Sequence, residues 1–176
     1  MEQWRIDPDH TVAAFEVRHC MITLVRGQFN RISGTLRFDP AAPALGSVAA
    51  EIEAAGVYTG IAKRDEHLCS PDFLEVERFP LIRFQSTRID PVALNRFACI
   101  GDLTIRDVTR PIILDVEYLG RVKSPFDDDI SIGFSATGRI NRRDFGVNWN
   151  YDLENGGLVA GNDLMLRLEV EADLVE

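Results

Sequence analysis

A chain of 176 residues, 45% of them hydrophobic, is the size of one domain and has enough apolar material for a substantial core. Its 28 acidic against 19 basic residues leave a net charge of -9, which argues against nucleic acid and anionic membrane surfaces, since both reward clustered Lys and Arg. The opening Met1-Glu2-Gln3-Trp4-Arg5-Ile6-Asp7 has neither a basic n-region nor an apolar h-region, and no stretch approaches the roughly 18 apolar residues of a spanning helix. Cys20, Cys69 and Cys99 show no C-x-x-C spacing, so free thiols, no metal site and a cytoplasmic, non-membrane-spanning protein are expected.

In chain order, eight runs alternate apolar and polar residues with the period of a half-buried strand. Thr11 to His19 puts Ala13, Phe15, Val17 and His19 on one face; Gly27 to Phe38 does the same with Gly34, Leu36 and Phe38, with a parity break near Ile32 that predicts a bulge. Asp39-Pro40-Ala41-Ala42-Pro43 ends that run, because proline cannot donate to a ladder. Ser47 to Val57 follows, with Val48, Ala50, Ile52 and Ala54 inward. Ile61 to Val76 lacks alternation, and Ala62, Glu66, Leu68 and Phe73 suit two short helices interrupted at Pro71. Strands resume at Leu81 to Ile89 (Ile82, Phe84 and Ser86 inward) and Arg96 to Arg106 (Phe97, Cys99, Gly101, Leu103 and Ile105 inward). Asp107-Val108-Thr109 makes a tight connection to Ile112 to Leu119, with Ile112, Leu114, Val116 and Tyr118 inward. After a polar loop over Lys123 to Asp129 come Ile130 to Ile140 and Leu164 to Leu174, the last with Leu164, Leu166, Leu168, Val170, Ala172 and Leu174 on one face.

Eight antiparallel strands with short turns are about the number that closes a barrel able to hold one small ligand. Such a barrel is either filled by its own side chains or hollow. Gly34, Ala50, Ala54, Cys99, Gly101, Ala136, Gly138 and Ala172 in the inward rows favour a hollow one, because small residues leave space that the inward phenylalanines only partly occupy.

The chain also resembles the YceI-like family of lipid-binding proteins, from about Trp4 to Glu176. The resemblance rests on Asp9-His10-Thr11 before Phe15-Glu16-Val17-Arg18-His19, Gly27-Gln28-Phe29, Arg64-Asp65-Glu66-His67-Leu68 with Pro71-Asp72-Phe73, and Phe79-Pro80. It continues through Gly101-Asp102-Leu103-Thr104-Ile105, Val108-Thr109-Arg110-Pro111, Gly133-Phe134, Ile140-Asn141-Arg142-Arg143-Asp144-Phe145-Gly146, and Glu154-Asn155-Gly156-Gly157 before Gly161. Thr11 stands where the family usually has Ser, and the secretion signal of many members has no counterpart in the opening residues. The resemblance implies a single all-β domain: an eight-stranded antiparallel lipocalin-like β-barrel with short helices after strands 1 and 3. It also implies an elongated apolar pore for an isoprenoid-like tail, and binding rather than catalysis.

The wall of that channel is expected from Phe15, Val17, His19, Phe29, Leu36, Phe38, Val48, Ile52, Ile82, Phe84, Phe97, Leu103, Ile105, Leu114, Val116, Ile132, Phe134, Phe145, Leu164, Leu166 and Leu168, with Phe84 and Phe134 against the middle of a bound tail. About thirty carbons at roughly 0.8 kcal/mol per methylene exceed the ceiling of any complex, so after ordering costs the tail can supply the affinity without a charged anchor. A polyisoprenoid or isoprenoid quinone is the first expectation and a fatty acid or fatty amide the second. A lipid-modifying enzyme using His19, His67 or Asp65, and a filled scaffold working through its outer surface, are the alternatives from other classes.

Other groups point away from further chemistry. His10, His19 and His67 lack zinc-site spacing. Asn150, Asp152 and Glu154 imitate a calcium loop, but Asn155 stands where glycine is needed and Gly161 where glutamate is. Asp127-Asp128-Asp129 reads as a solvated loop, and no nucleophile elbow, P-loop or dinucleotide fingerprint occurs. In Arg142-Arg143-Asp144-Phe145-Gly146 an arginine either bonds strand-end carbonyls or an adjacent aspartate while Phe145 plugs the barrel, or it meets a polar head group. Ile100 and Ile113, apolar on outward faces, predict a homodimer through a pooled patch.

Overall fold

A computed structural model describes residues 1–125, 129–154 and 156–175. Among them are eleven strands: β1 Glu2–Ile6, β2 Val12–His19, β3 Thr23–Phe29, β4 Ile32–Phe38, β5 Ser47–Glu53, β6 Val57–Tyr58, β7 Leu81–Ala93, β8 Arg96–Ile105, β9 Val108–Lys123, β10 Ile130–Asn141 and β11 Ala160–Leu174. One α-helix, α1, covers Ala62–Cys69, and single 3-10 turns cover Pro43–Leu45, Ala54–Gly56 and Arg142–Phe145. Residues 126–128 of the expected polar loop, and Asn155, lie outside the described residues.

All strand pairings are antiparallel, and the sheet closes where β1 pairs with β4 on one side and β11 on the other. Three passes of the chain are each split in two. β1 and β2 lie end to end along one edge of β11, with Trp4 opposite Leu174 and His19 opposite Ala160. β4 and β3 likewise face β1 and β2, and β5 and β6 face β4 and β3. Counted by pass, this is the closed eight-stranded antiparallel barrel that the alternation predicts. The parity break near Ile32 is the gap between β3 and β4 at Asn30 and Arg31.

Several local expectations differ. The connection after the first predicted strand is no helix but a tight turn, with Cys20 and Met21 in left-handed conformation (φ 48° and 62°). The region Ile61 to Val76 holds one helix rather than two. Past Ser70 it runs through successive turns, such as Phe73 N–H to Ser70 O (3.0 Å) and Phe79 N–H to Glu75 O (2.9 Å). β7 continues through Pro91, and β9 starts before Pro111. Both prolines sit where the strand has lost its second neighbour: β7 pairs with β5 only as far as Gln85, and β9 pairs with β10 only from Leu114 onward. A missing N–H is harmless on such an edge.

The two ends of the barrel are built differently. At the end holding the chain terminus, Trp4, Phe38, Phe97, Ile132, Phe134 and Ala172 are buried in one cluster. The Phe38 ring meets Phe134 edge-on at 5.0 Å and Phe97 at 5.8 Å, with Tyr118 at 5.1 Å; offset and edge-to-face rings of this kind fill a barrel end densely. The opposite end is covered by α1, the turns after it, the Arg142–Phe145 turn and the segment that leads to β11.

Candidate functional site

Between these ends lies a cavity of about 510 Å³ with an almost wholly apolar wall, within the size range of ligand pockets. The wall is made by the inward rows. Phe15, Val17 and His19 (β2), Phe29 (β3), Leu36 and Phe38 (β4), Val48 and Ile52 (β5), and Ile82 and Phe84 (β7) line it. So do Phe97, Leu103 and Ile105 (β8), Leu114 and Val116 (β9), Phe134 (β10), and Leu164, Leu166 and Leu168 (β11).

Two predicted wall residues do not line the cavity. Ile132, 2% exposed, belongs to the packed floor, because strand parity fixes the face of a side chain but not its height. Phe145, also 2% exposed, packs with Ile82, Leu103 and Ile140 as a plug over the far end. Phe134 lines the cavity from the floor, against Phe38 and Tyr118, and not at its middle. The small inward residues divide: Ala50, Cys99 and Ala136 line the cavity as expected, whereas Gly34, Gly101 and Gly138 do not. A Cβ on Gly101 would lie 2.4 Å from the Phe84 ring, and one on Gly27 would lie 2.3 Å from Phe15. These glycines let aromatic rings lie flat over the sheet; they are not themselves the empty space.

Residues outside the predicted set complete the wall: Val25, Arg64, His67, Leu68, Phe73, Leu74, Val147, Trp149, Val159 and Ala160. Of these, all but Val25 and Ala160 sit on segments without strand periodicity, so alternation gives no signal for them; inward strand residues such as Ala13, Ala50, Cys99, Ile112, Ala136 and Val170 also line the cavity. At this end β3 is paired with β2 along its length, but its other edge has a strand beside it only at Gln28 and Phe29, which leaves Thr23–Gly27 as an open edge. His19 and Arg18 both line the cavity and are exposed there, which marks the rim of a mouth. Arg37, Ser47 and Ile89 border the cavity where β5 and β7 part, beside the turn Pro43–Leu45.

Polar side chains hold the mouth together. Asp65 accepts from the Thr59 backbone N–H (2.9 Å) and hydroxyl, and Arg64 donates to the Thr59 hydroxyl (2.7 Å) and carbonyl (2.8 Å). His67 pairs with Asp72 at 2.8 Å, and its ring meets Phe73 (5.0 Å) and Trp149 (4.8 Å) edge-on. Arg106 pairs with Glu75 at 2.6 Å and ties the turns after α1 to the β8–β9 connection. Buried Arg142 is the centre of the covering segment. Its Nε donates to Gly161 O (2.9 Å), Nη1 to Val147 O (2.8 Å) and Trp149 O (2.9 Å), and Nη2 to Ala160 O (3.2 Å) and Asn162 Oδ1 (3.4 Å). Of the two readings of this segment, the carbonyl-bonded corner is the one present, and no N–H of the guanidinium is left over. Burial first, and Arg143 second, lower its pKa from the ordinary value.

His19, His67 and Asp65 are engaged separately and not as one acid/base cluster: His19 Nε2 lies 3.4 Å from Cys20 Sγ, and the other two have the partners given above. Burial pushes the Cys99 thiol up to about 11, which keeps it an unreactive part of the wall. Away from the cavity, Asp7, His10 and Glu171 each bring one ligand-type atom within 4.8 Å of the others, a grouping that chain spacing does not reveal. His10 Nδ1 is bound to Asp7 at 2.6 Å, so an ion pair accounts for the contact. Among the described residues no helix is long and apolar enough to cross a membrane.

Residues 4–172 match the family model described as the YceI-like domain. The UPF0312 protein SA2479 of Staphylococcus aureus (strain N315) is 30% identical over 176 residues, all of both chains. The crystal structure of Burkholderia cenocepacia BcnA superposes with a TM-score of 0.82 at 19% identity, covering 94% of this chain and 98% of that one. A polyisoprenoid binding domain from Saccharophagus degradans, implicated in plant cell wall breakdown, superposes with a TM-score of 0.69 at 14% identity, covering 99% and 100%.

Proposed function

The chain belongs to the YceI-like domain family, and we propose that its barrel binds, and carries or stores, a long isoprenoid-type lipid, a polyisoprenoid or an isoprenoid quinone. The observation that carries this reading is the almost wholly apolar cavity, whose arginines stand only at its edges. A fatty acid would bring a carboxylate, and its desolvation has to be offset by donors. Arg142 has none left, Arg64 already directs two of its nitrogens to Thr59, and Arg18 and Arg37 are exposed at the cavity's edges, so donors for a carboxylate lie at the rim and not along the wall. An uncharged tail with a small polar end suits this wall better, and discrimination then comes from cavity length and shape. The polyisoprenoid named for the Saccharophagus domain supports the same class of ligand.

We read the site as one of binding and not of catalysis, because the titratable groups beside the cavity are engaged in bonds that hold its mouth. The free cysteines support a reducing compartment, the cytoplasm. Ile113, exposed and directly opposite Ile100 across the β8–β9 ladder, supports the expected homodimer, which light scattering at micromolar concentration tests. The test of the ligand is organic extraction of the purified protein with mass spectrometry. A defined prenyl species is expected from the natural protein and from Phe84→Leu, and none from folded Phe84→Asp, whose carboxylate would stand unpaired in the wall. An empty natural protein, or full retention by Phe84→Asp, would falsify the assignment.

A further inference from the structure

A tail that is insoluble in water has to enter and leave the cavity at a surface that is itself apolar. The mouth is ringed by segments tied to one another. Cys20 N–H donates to Val159 O (2.8 Å), Val159 N–H to Tyr151 O (3.1 Å), and the Tyr151 ring stands edge-on to Trp149 at 5.3 Å. Trp149 meets His67 on α1, α1 begins just after Ile61, and Tyr58 on β6 pairs with Gln28 on β3. On this one ring Met21, Ile22, Tyr58, Ile61 and Tyr151 point their apolar surface into solvent, with Ile22 83% exposed. The left-handed backbone at Cys20 and Met21, unusual for residues with side chains, belongs to the turn that presents Ile22.

We propose that this ring docks on the surface of a phospholipid bilayer, with Met21, Ile22 and Ile61 entering the acyl boundary and the hydroxyls of Tyr58 and Tyr151 at headgroup level. The proposal rests on reading the cavity as a lipid site, since it places the mouth against the source of the lipid. The mixture of aliphatic side chains and tyrosines suits an interface with one apolar and one wet side. The charges nearby do not suit an anionic target. Arg26 is paired with Glu16 at 2.7 Å, Arg64 is bound to Thr59, and the exposed Arg18 and Lys63 are outnumbered by Glu66, Asp72, Asp152 and Glu154 on the same segments. Attachment is therefore apolar and insensitive to salt, unlike that of a basic membrane-binding patch. The exposed Leu45, Val92 and Leu94, at the closed end, do not line the cavity and take no part.

The test is flotation with phosphatidylcholine vesicles at about 0.1 M and about 0.5 M salt, using the full chain, Ile22→Asp, Ile61→Asp and Leu94→Asp, with folding checked by circular dichroism. Flotation of the natural protein and of Leu94→Asp is expected at both salt concentrations, and each mouth variant should lower the partition coefficient about tenfold or more. No flotation of the natural protein, binding abolished by salt, or an equal loss in Leu94→Asp would overturn the proposal. Binding of diphenylhexatriene, an uncharged apolar fluorophore, followed by its fluorescence, reads the cavity separately. Retained probe binding with no flotation sinks the docking surface alone, whereas loss of probe binding in the natural protein sinks the cavity reading.

Discussion

The closed and open ends of the barrel hold the same eight passes of chain by opposite means. The floor is chiefly side-chain packing: rings and branched residues placed by strand parity, with Trp4 1% exposed and Ala172 fully buried, and polar ties such as Arg121 to Glu2 only around it. The mouth is made of irregular backbone whose hydrogen-bonding groups have no ladder to join, and buried peptide groups without partners are costly. Side chains take the place of the ladder there: Arg142 gathers four carbonyls, Asp65 and Arg64 hold Thr59, and Glu75 holds Arg106. An end that must stay shut can be packed. An end that must admit a tail needs surfaces that are fixed but not filled, and polar clamps supply that.

The contrast can be broken at either end. Phe38→Ala, at the centre of the floor, should cost about 3–5 kcal/mol in urea unfolding, because the surrounding rings cannot collapse into the space. It should also let longer prenyl probes bind; a loss under about 1 kcal/mol would mean that the floor is not a packed wall. Arg142→Met should cost about 2–3 kcal/mol, since it leaves several buried carbonyls without a donor while keeping the volume. Arg142→Lys should not restore the loss, because an ammonium cannot reach acceptors arranged around a planar fork. Trp149→Ala should cost less, about 1–2 kcal/mol at its half-buried position. Its main effect should be faster release of a bound probe, measured by stopped-flow displacement; unchanged release would place the exit elsewhere.

How far the sequence was legible follows the same division. Parity alone places Phe15, Leu36, Ile82, Leu114 and Leu166 on the cavity wall, because the period of a strand is a local property. It does not say that Ile132 sits below the cavity, since height along the barrel depends on the register between strands far apart in the chain. β1 is too short to stand out, yet Trp4 and Ile6 alternate within it and close the ring. Pro91 and Pro111 make β7 and β9 look shorter than they are, because whether a proline is tolerated depends on the neighbour strand and not on the sequence around it. The mouth residues Leu68, Phe73 and Trp149 carry no strand periodicity, and the sequence leaves the clamp by Arg142 as one of two readings, because its carbonyl partners come from segments up to 19 residues away.

The smallest expected effect lies outside both ends, at the kink between β1 and β2, and tests whether that joint is held by charge. The hydrogen bond to Asp7, its charge and that of Glu171 raise the pKa of His10 above its ordinary 6.5. Burial pushes the Asp7 carboxyl up, but its bonds with His10 and the Asp9 N–H outweigh this and hold it below 3.8. A histidine whose pKa rises on folding contributes stability that is complete below its unfolded value and lost as pH climbs through the folded one. The aspartate contributes stability that is present above its unfolded value and lost as pH falls through the lower folded one. Both contributions coexist between pH 3.8 and 6.5. His10→Gln should therefore lower the unfolding temperature most near pH 5, and the gap to the natural protein should shrink by about pH 9. His10 is exposed to solvent, so the gap should also narrow with added salt. A difference that stays constant across this pH range would mean that the bond acts as a neutral hydrogen bond and that the kink is held by the backbone, through Thr11 and Glu171.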